Sequence, residues 1–157
     1  QAEMITFSEV SFLLSEAALQ GWAVPGDAPT HYQNGIRASL ERWAIDDAEI
    51  EEYLTSPAVA FDGTLERLME QKWIAQWLHV EPWFDYRRTG LPELQSGPSA
   101  RQPVIPVRYV YSEDEVNFNR DNAEQAINRL QETSFAVEGK NSPWAKMWLV
   151  EGLDVPW

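Results

Sequence analysis

The chain has 157 residues, a formal net charge of −13 and no cysteine. Its length allows it to bury a hydrophobic core without a metal or a disulfide, and its 44% hydrophobic and 24% charged residues are typical of globular proteins. The excess of 25 acidic over 12 basic residues disfavours nucleic-acid binding, and the lack of cysteine excludes disulfides, thiolate nucleophiles and thiolate zinc sites.

The beginning of the chain indicates a piece of a longer product. It starts at Gln1 rather than Met, and no basic segment followed by an apolar run marks a signal peptide. No apolar run approaches the roughly 18 residues that a membrane-spanning helix requires. We therefore expect the segment to begin after a processing event or inside a longer gene product.

Two amphipathic helices are predicted at the start of the chain. Thr6 and Glu9 form a capping-box pattern, and Gly21 stands where a helix C-cap belongs. The apolar stripe between them consists of Val10, Leu13, Leu14, Ala17 and Ala18. Pro29 favours the start of a second helix. Its predicted buried face consists of Tyr32, Ile36, Leu40 and Trp43. The short connector predicts that the two helices form an antiparallel hairpin.

A short helix and a long helix are predicted next. Asp46 and Glu49 repeat the capping pattern before a short helix that carries Ile50 and Leu54. The longest predicted helix runs from about residue 65 to residue 80 and is apolar around much of its circumference, so we expect it to be buried on more than one side. Its apolar residues are Leu65, Leu68, Met69, Trp73, Ile74, Trp77 and Leu78. Pro82 cannot continue a helix and is expected to end this one.

The second half of the chain is predicted to be less regular. After Leu91 the composition indicates a surface loop as far as Pro103. Residues 105–111 alternate in the manner of a strand or an extended segment, and residues 123–130 show the spacing of a last short helix. The tail, residues 142–157, carries no pattern that assigns a regular structure. The fold expected is mainly α, with tetratricopeptide-like helical hairpins, a short extended or β segment and long irregular loops.

Several strings of residues resemble the C-terminal portion of SusD/RagB-type proteins. The match runs in order from about Phe7 to Ile127. It consists of EVSFLLSEAA at residues 9–18, YQNGIRAS at 32–39, QKWIA at 71–75, DYRRTGLP at 85–92 and IPVRYVY at 105–111, followed by Asn117 and Asn119. Each string alone has low specificity, and their order and spacing together carry the resemblance.

The resemblance implies a non-catalytic nutrient-capture lipoprotein on the outer face of an outer membrane. Such a protein is the lid of a TonB-dependent SusC-like transporter and binds an oligosaccharide or a peptide. Residues 1–157 would then form a single segment, the C-terminal part of a larger SusD-like helical domain. The lipid-bearing cysteine of the family is absent, so membrane association would use a lipid anchor outside this segment. No cofactor is implied, and no nucleic acid is expected as a partner.

The candidate ligand-binding residues are Trp22, Trp83, Tyr86 and Arg87. The two tryptophans follow predicted helix ends, so their rings are expected to be exposed and able to stack on a sugar. The Arg87 guanidinium could clamp a polar ligand, or it could belong to a structural network at a helix end. No catalytic or metal-binding residues are predicted, because the two histidines lie in no metal-binding or nucleophile motif.

Two alternatives to nutrient capture remain open at this point. A tetratricopeptide-like scaffold would bind only protein and no small molecule. A hydrolase would use Asp85, and loss of turnover in Asp85→Asn would be needed to support it.

Overall fold

The computed structural model describes residues 4–152, which contain seven α-helices, one short 3₁₀ helix and no β-strand. The α-helices are α1 (Phe7–Leu19), α2 (Ala28–Arg42), α3 (Asp47–Thr55), α4 (Leu65–Ala75), α5 (Glu81–Thr89), α6 (Glu113–Phe118) and α7 (Arg120–Asn128). The chain divides into two compact units, Gln1–Pro82 and Trp83–Trp157. The prediction of a mainly α fold is confirmed. No helix in the described residues is long and apolar enough to cross a membrane.

The first unit is built around the hairpin of α1 and α2. Thr6 caps α1 by accepting a hydrogen bond from the Glu9 amide, as predicted. The Ser8 hydroxyl donates to the Gly35 carbonyl at 2.6 Å, and the Ser15 hydroxyl donates to the Ala28 carbonyl at 2.8 Å. Ser15, the later of the two serines on α1, bonds to Ala28, the earlier of the two residues on α2. The two helices are therefore antiparallel.

The buried face of α1 differs from the predicted stripe. Its buried residues are Ser8, Ser11, Phe12 and Ser15. Val10 and Leu13 are exposed. The hydroxyl groups of small side chains can donate to backbone carbonyls while they let α2 approach closely. Three serines are therefore buried beside Phe12 on this face. The predicted burial of Trp43 at the end of α2 is likewise wrong, and its ring is exposed.

The ends of α3 and α4 also differ from the sequence-based expectation. Asp46 stands at the N-cap of α3, but its side chain makes no cap hydrogen bond. Helix α4 ends at Ala75 rather than near residue 80, because the backbone amide of Gln76 closes its last turn and Leu78 has a positive φ of 69°. As a result, Trp77 and Leu78 lie outside the helix and are exposed.

The inward side of α4 combines apolar and polar side chains. Its buried residues are Leu68, Met69, Gln71 and Lys72, while Ile74 is exposed. The buried side of α4 is therefore less apolar than expected, although the helix packs against both α1 and α2. The Tyr53 hydroxyl, which projects from α3, donates to Gln71 Oε1 at 2.8 Å and satisfies this buried amide.

Residues 81–89 form helix α5, where the sequence predicted the end of a helix. Pro82 lies in the first turn of α5, a position where its missing N–H is not needed. Trp83 therefore does not follow a helix end but projects from within a helix. Its indole N–H donates to the Pro106 carbonyl at 2.8 Å.

The second unit has small clusters rather than one continuous core. Tyr86 and Val107 form one cluster, against which Leu94 and Ile105 pack. A second cluster consists of Leu130, Ala136 and Ala145, with Tyr111 and Met147 packed against it.

Residues 105–111 form no strand. The Val107 and Arg108 amides both donate to the Pro143 carbonyl, at 2.9 and 3.2 Å, so they converge on one acceptor instead of forming a ladder. Pro106 has no amide hydrogen to contribute to a ladder. Helix α7 covers most of the predicted last helix, and α6 was not predicted, although Ser112 caps it by accepting a hydrogen bond from the Glu115 amide. The tail contains a 3₁₀ turn at Trp148–Val150, and residues 153–157 lie outside the described part.

Candidate functional site

Helix α5 brings aromatic and cationic side chains together on one face. Trp83 and Arg87 are four residues apart, which places them on the same face of a helix. The Arg87 Cζ lies 4.4 Å from the centroid of the Trp83 ring and 5.9 Å from that of Phe84. The Trp83 ring also contacts Tyr109 in an edge-on arrangement, with centroids 5.6 Å apart. Trp83 is thus surrounded by an arginine and two other aromatic rings.

The Arg87 guanidinium has few polar partners. Its Nη2 donates to Met147 Sδ at 3.2 Å, a weak acceptor. Its Nε is buried and has no hydrogen-bond partner within residues 4–152. Burial lowers the pKa of Arg87 from its ordinary value, with desolvation of the charged form as the cause.

The neighbouring arginine of α5 is paired. Arg88 Nη2 lies 2.8 Å from Asp85 Oδ1, three residues earlier on the same helix. Asp85 is therefore paired within α5, and this ion pair does not favour the hydrolase alternative.

A cavity of about 430 Å³ lies beside this face of α5, within the second unit. Its apolar lining residues are Phe84, Met147, Leu149 and Val150, and its charged ones are Asp85, Arg87 and Arg88. Two segments line this cavity, residues 84–88 and residues 147–150, and they are about 60 residues apart. No local sequence pattern therefore connects them. Sequence patterns assigned the tail no regular structure and no part in a site.

The four candidate residues of the sequence have different environments. Trp22 follows α1 in the first unit and is 71% exposed, as predicted. Trp83 and Arg87 are partly buried in α5 and contact each other. Tyr86 is buried in the cluster with Val107, and this burial raises the pKa of its hydroxyl.

A second cavity, of about 290 Å³, lies in the first unit. Its lining includes the start of α1, Arg42 from α2, and Gln76 and His79 after α4. The side-chain amide of Gln76 is buried, and neither its nitrogen nor its oxygen has a hydrogen-bond partner within residues 4–152. Arg42 Nη1 lies 3.2 Å from His79 Nε2.

Comparison with known proteins shows one consistent relationship. Residues 1–112 match the model of a SusD-like family described as "Starch-binding associating with outer membrane". A SusD-like protein from Bacteroidetes AC2a is 30% identical over 88% of this chain and 30% of its own, with a TM-score of 0.72. A SusD homologue from Bacteroides fragilis NCTC 9343 is 27% identical over 92% of this chain and 34% of its own, with a TM-score of 0.74.

A chitin-binding protein of known structure is also similar. It is 28% identical over 92% of this chain and 32% of its own, with a TM-score of 0.74. The chain thus spans about a third of the length of these three structures. No curated protein matches the sequence.

Proposed function

We propose, because the chain belongs to the SusD-like family, that it is part of a protein that captures nutrient oligosaccharides, or peptides, at a cell surface without altering them chemically. The family match over residues 1–112 is the observation that carries this proposal. The chain covers only about a third of the length of its relatives. This coverage supports a further proposal, that residues 1–157 are the C-terminal part of a larger SusD-like helical domain.

The location and the partner of the protein are proposed on the same basis. The family description associates its members with the outer membrane, so we place the complete protein on the outer face of that membrane. A lipid anchor outside this segment would attach it there. Its partner would be a TonB-dependent SusC-like transporter, over which the protein would act as a lid.

Aromatic side chains are the best candidates for ligand contact in this chain. The Trp22 indole is largely exposed and is therefore free to stack on the apolar face of a sugar ring. The Trp83 ring already contacts Arg87, Phe84 and Tyr109, so it offers a ligand less open surface. Tyr86 is buried and supports α5 from the core side.

An exposed apolar stripe favours a second candidate function, a tetratricopeptide-like scaffold that binds only protein. Phe7, Val10 and Leu13 recur at three-residue spacing on α1 and are exposed to 70%, 36% and 43%. Contiguous exposed apolar residues of this kind commonly mark protein interfaces. A scaffold of this type would have no small-molecule ligand.

Calorimetric titration of the intact protein separates the two candidates. We expect a malto-oligosaccharide, a chito-oligosaccharide or a peptide to bind with saturation, and chromatography of the mixture to show unchanged ligand. Trp22→Ala should weaken oligosaccharide binding by about tenfold, which corresponds to about 1.4 kcal/mol. Trp43→Ala is the matched control, because Trp43 is also exposed but is not a candidate contact. Absence of binding to all three classes would favour the scaffold, and a cleaved ligand would contradict capture without chemistry.

A further inference from the structure

Arg87 differs from the other partnered arginines of the second unit in the kind of acceptor that its N–H groups find. Arg88 pairs with Asp85, and Arg101 pairs with Glu138. Arg108 is buried and donates to the Ser142 carbonyl at 3.0 Å. Within residues 4–152, the only hydrogen-bond acceptor of Arg87 is a thioether sulfur.

An arginine whose only acceptor among the described residues is a thioether sulfur favours an anionic partner. The contacts of the Arg87 guanidinium with the Trp83 and Phe84 rings stabilise its charge through the ring faces, but they use none of its N–H donors. The planar guanidinium matches a carboxylate, with which it can form two parallel hydrogen bonds. A carboxylate would therefore supply the strong acceptor that residues 4–152 do not.

The cavity beside Arg87 restricts what can carry that carboxylate. Four of its lining residues are apolar, namely Phe84, Met147, Leu149 and Val150. A sugar ring placed against them would bury hydroxyl groups that find few hydrogen-bond partners, which is unfavourable. A hydrocarbon group placed there would instead gain from the removal of apolar surface from water.

The charges in the cavity favour an anion. Asp85 and Arg88 pair with each other, so the charge of Arg87 remains as a local positive excess. This excess stands out in a chain with a net charge of −13. It would select against cations and for one negative group at this position.

We infer that the cavity between α5 and residues 147–150 binds a carboxylate attached to an apolar group, such as the C-terminal residue of a peptide. The Arg87 guanidinium holds the carboxylate, and the apolar side chains of Met147, Leu149 and Val150 receive the hydrocarbon portion. The inference specifies a ligand class for the proposed capture function and rests on that function for its physiological role.

Four small probes test this inference on the intact protein. N-acetyl-leucine represents a peptide C-terminus, hexanoate an aliphatic acid, N-acetyl-leucinamide the same apolar group without the carboxylate, and glucuronate a carboxylate on a sugar. Ligands of this size bind with dissociation constants of about 0.1 to 1 mM. Chemical-shift titration of ¹³C-methyl-methionine protein measures binding in that range, and the Met147 signal, assigned with Met147→Leu, reports on this cavity.

Saturable shifts of the Met147 methyl with N-acetyl-leucine, and binding of the amide that is at least about tenfold weaker, support the inference. A hexanoate affinity similar to that of N-acetyl-leucine would identify any aliphatic acid as the ligand, while a weaker one would identify a peptide terminus. Equal binding of acid and amide would overturn the inference. So would tighter binding of glucuronate than of N-acetyl-leucine, or the absence of any Met147 shift with all four probes.

Substitutions assign the binding to named side chains. Arg87→Gln should weaken N-acetyl-leucine binding by at least about tenfold, while Arg101→Gln is the matched control, because it removes the same charge from the surface pair with Glu138. Leu149→Ala should weaken it by about threefold to tenfold. Leu149 is exposed, so its variant should fold even if Arg87→Gln does not. Unchanged affinity in folded Arg87→Gln, or in Leu149→Ala, would overturn the inference.

The same variants separate this inference from the proposed capture function. If Arg87→Gln still binds an oligosaccharide while N-acetyl-leucine binds neither protein, the carboxylate cavity is wrong and capture stands. If N-acetyl-leucine binds as described but no oligosaccharide or longer peptide does, the cavity stands and the capture proposal fails.

Discussion

The indole N–H of Trp83 donates to the carbonyl of Pro106 at 2.8 Å. This bond connects helix α5 to the irregular segment around residues 105–111, which has no strand ladder to hold it. The Arg87 Cζ lies 4.4 Å from the centroid of the same indole ring. The Trp83 side chain therefore both positions residues 105–111 and stabilises the positive charge of Arg87 beside the cavity.

Replacement of Trp83 by phenylalanine should destabilise the second unit. Phenylalanine has no N–H to donate to Pro106, and its ring attracts the Arg87 guanidinium less strongly than an indole does. We expect a loss of about 1–2 kcal/mol in the free energy of unfolding, measured by urea denaturation. Trp22→Phe is the control and should change stability by less than about 0.5 kcal/mol, because Trp22 is exposed. Equal effects at the two positions would show that the bond to Pro106 contributes nothing.

Replacement of Gly35 by alanine should destabilise the α1–α2 hairpin. A Cβ at Gly35 would lie 2.8 Å from carbon atoms of the Phe12 ring, and that ring is completely buried. Overpacking of this kind costs about 1–3 kcal/mol, and the better helix propensity of alanine offsets about 1 kcal/mol of it. We expect a net loss of up to about 2 kcal/mol in urea denaturation.

A matched variant separates crowding from the general effect of replacing glycine. Gly97 has open space around the position of a Cβ, so Gly97→Ala should be neutral or slightly stabilising. A stabilising Gly35→Ala would show that the hairpin is looser than the contact between Gly35 and Phe12 implies.

Replacement of Gln76 by methionine should stabilise the first unit. The side-chain amide of Gln76 is buried and has no hydrogen-bond partner in the described part of the chain, and methionine has a similar length and no strong polar group. Removal of an unsatisfied buried polar group should raise the free energy of unfolding by about 1–3 kcal/mol. Gln71→Met is the contrasting variant, because Gln71 accepts from the Tyr53 hydroxyl and its loss should be destabilising. Destabilisation by Gln76→Met would mean that a bound water or ligand satisfies this amide in solution.

Acidification should weaken the N-terminus of α2. Asp27 caps this helix by accepting from the Thr30 amide at 2.8 Å, and this hydrogen bond holds the pKa of Asp27 below its ordinary value of 3.8. Since the folded-state pKa is the lower one, the stabilisation is fully present above pH 3.8 and is lost as the pH falls through the folded-state pKa.

Asp27→Asn provides the reference for this effect, because asparagine caps a helix about equally well and does not titrate. The urea midpoint of the natural protein relative to Asp27→Asn should fall as the pH decreases from about 5 to about 2. Asp62, which also has a lowered pKa, is present in both proteins, so its titration cancels in the comparison. A constant difference across this range would contradict the assigned role of Asp27.

The first helices show which local features the sequence predicts well. Thr6 and Gly21 mark the ends of α1, where Thr6 accepts the cap hydrogen bond and Gly21 has a φ of 78°. These signals act within one turn of a helix, so they can be identified without knowledge of the partner. The family resemblance, which rests on strings of such local residues, is confirmed as well.

The choice of buried face depended on the neighbouring helix. Ser8 and Ser15 are buried in α1 because carbonyls of α2 accept their hydroxyl protons, and no property of α1 alone reveals those acceptors. The same holds for the cavity beside Arg87, since Met147 lies 60 residues further along the chain.

The sequence alone determined the starts of the first four helices, the mainly α class and the family, because capping, composition and local strings are short-range properties. Only the tertiary structure decided which faces are buried, that residues 105–111 form no strand, and that Arg87 lacks a carboxylate partner among the described residues. Those outcomes depend on groups that are distant in sequence and that meet only when the chain folds.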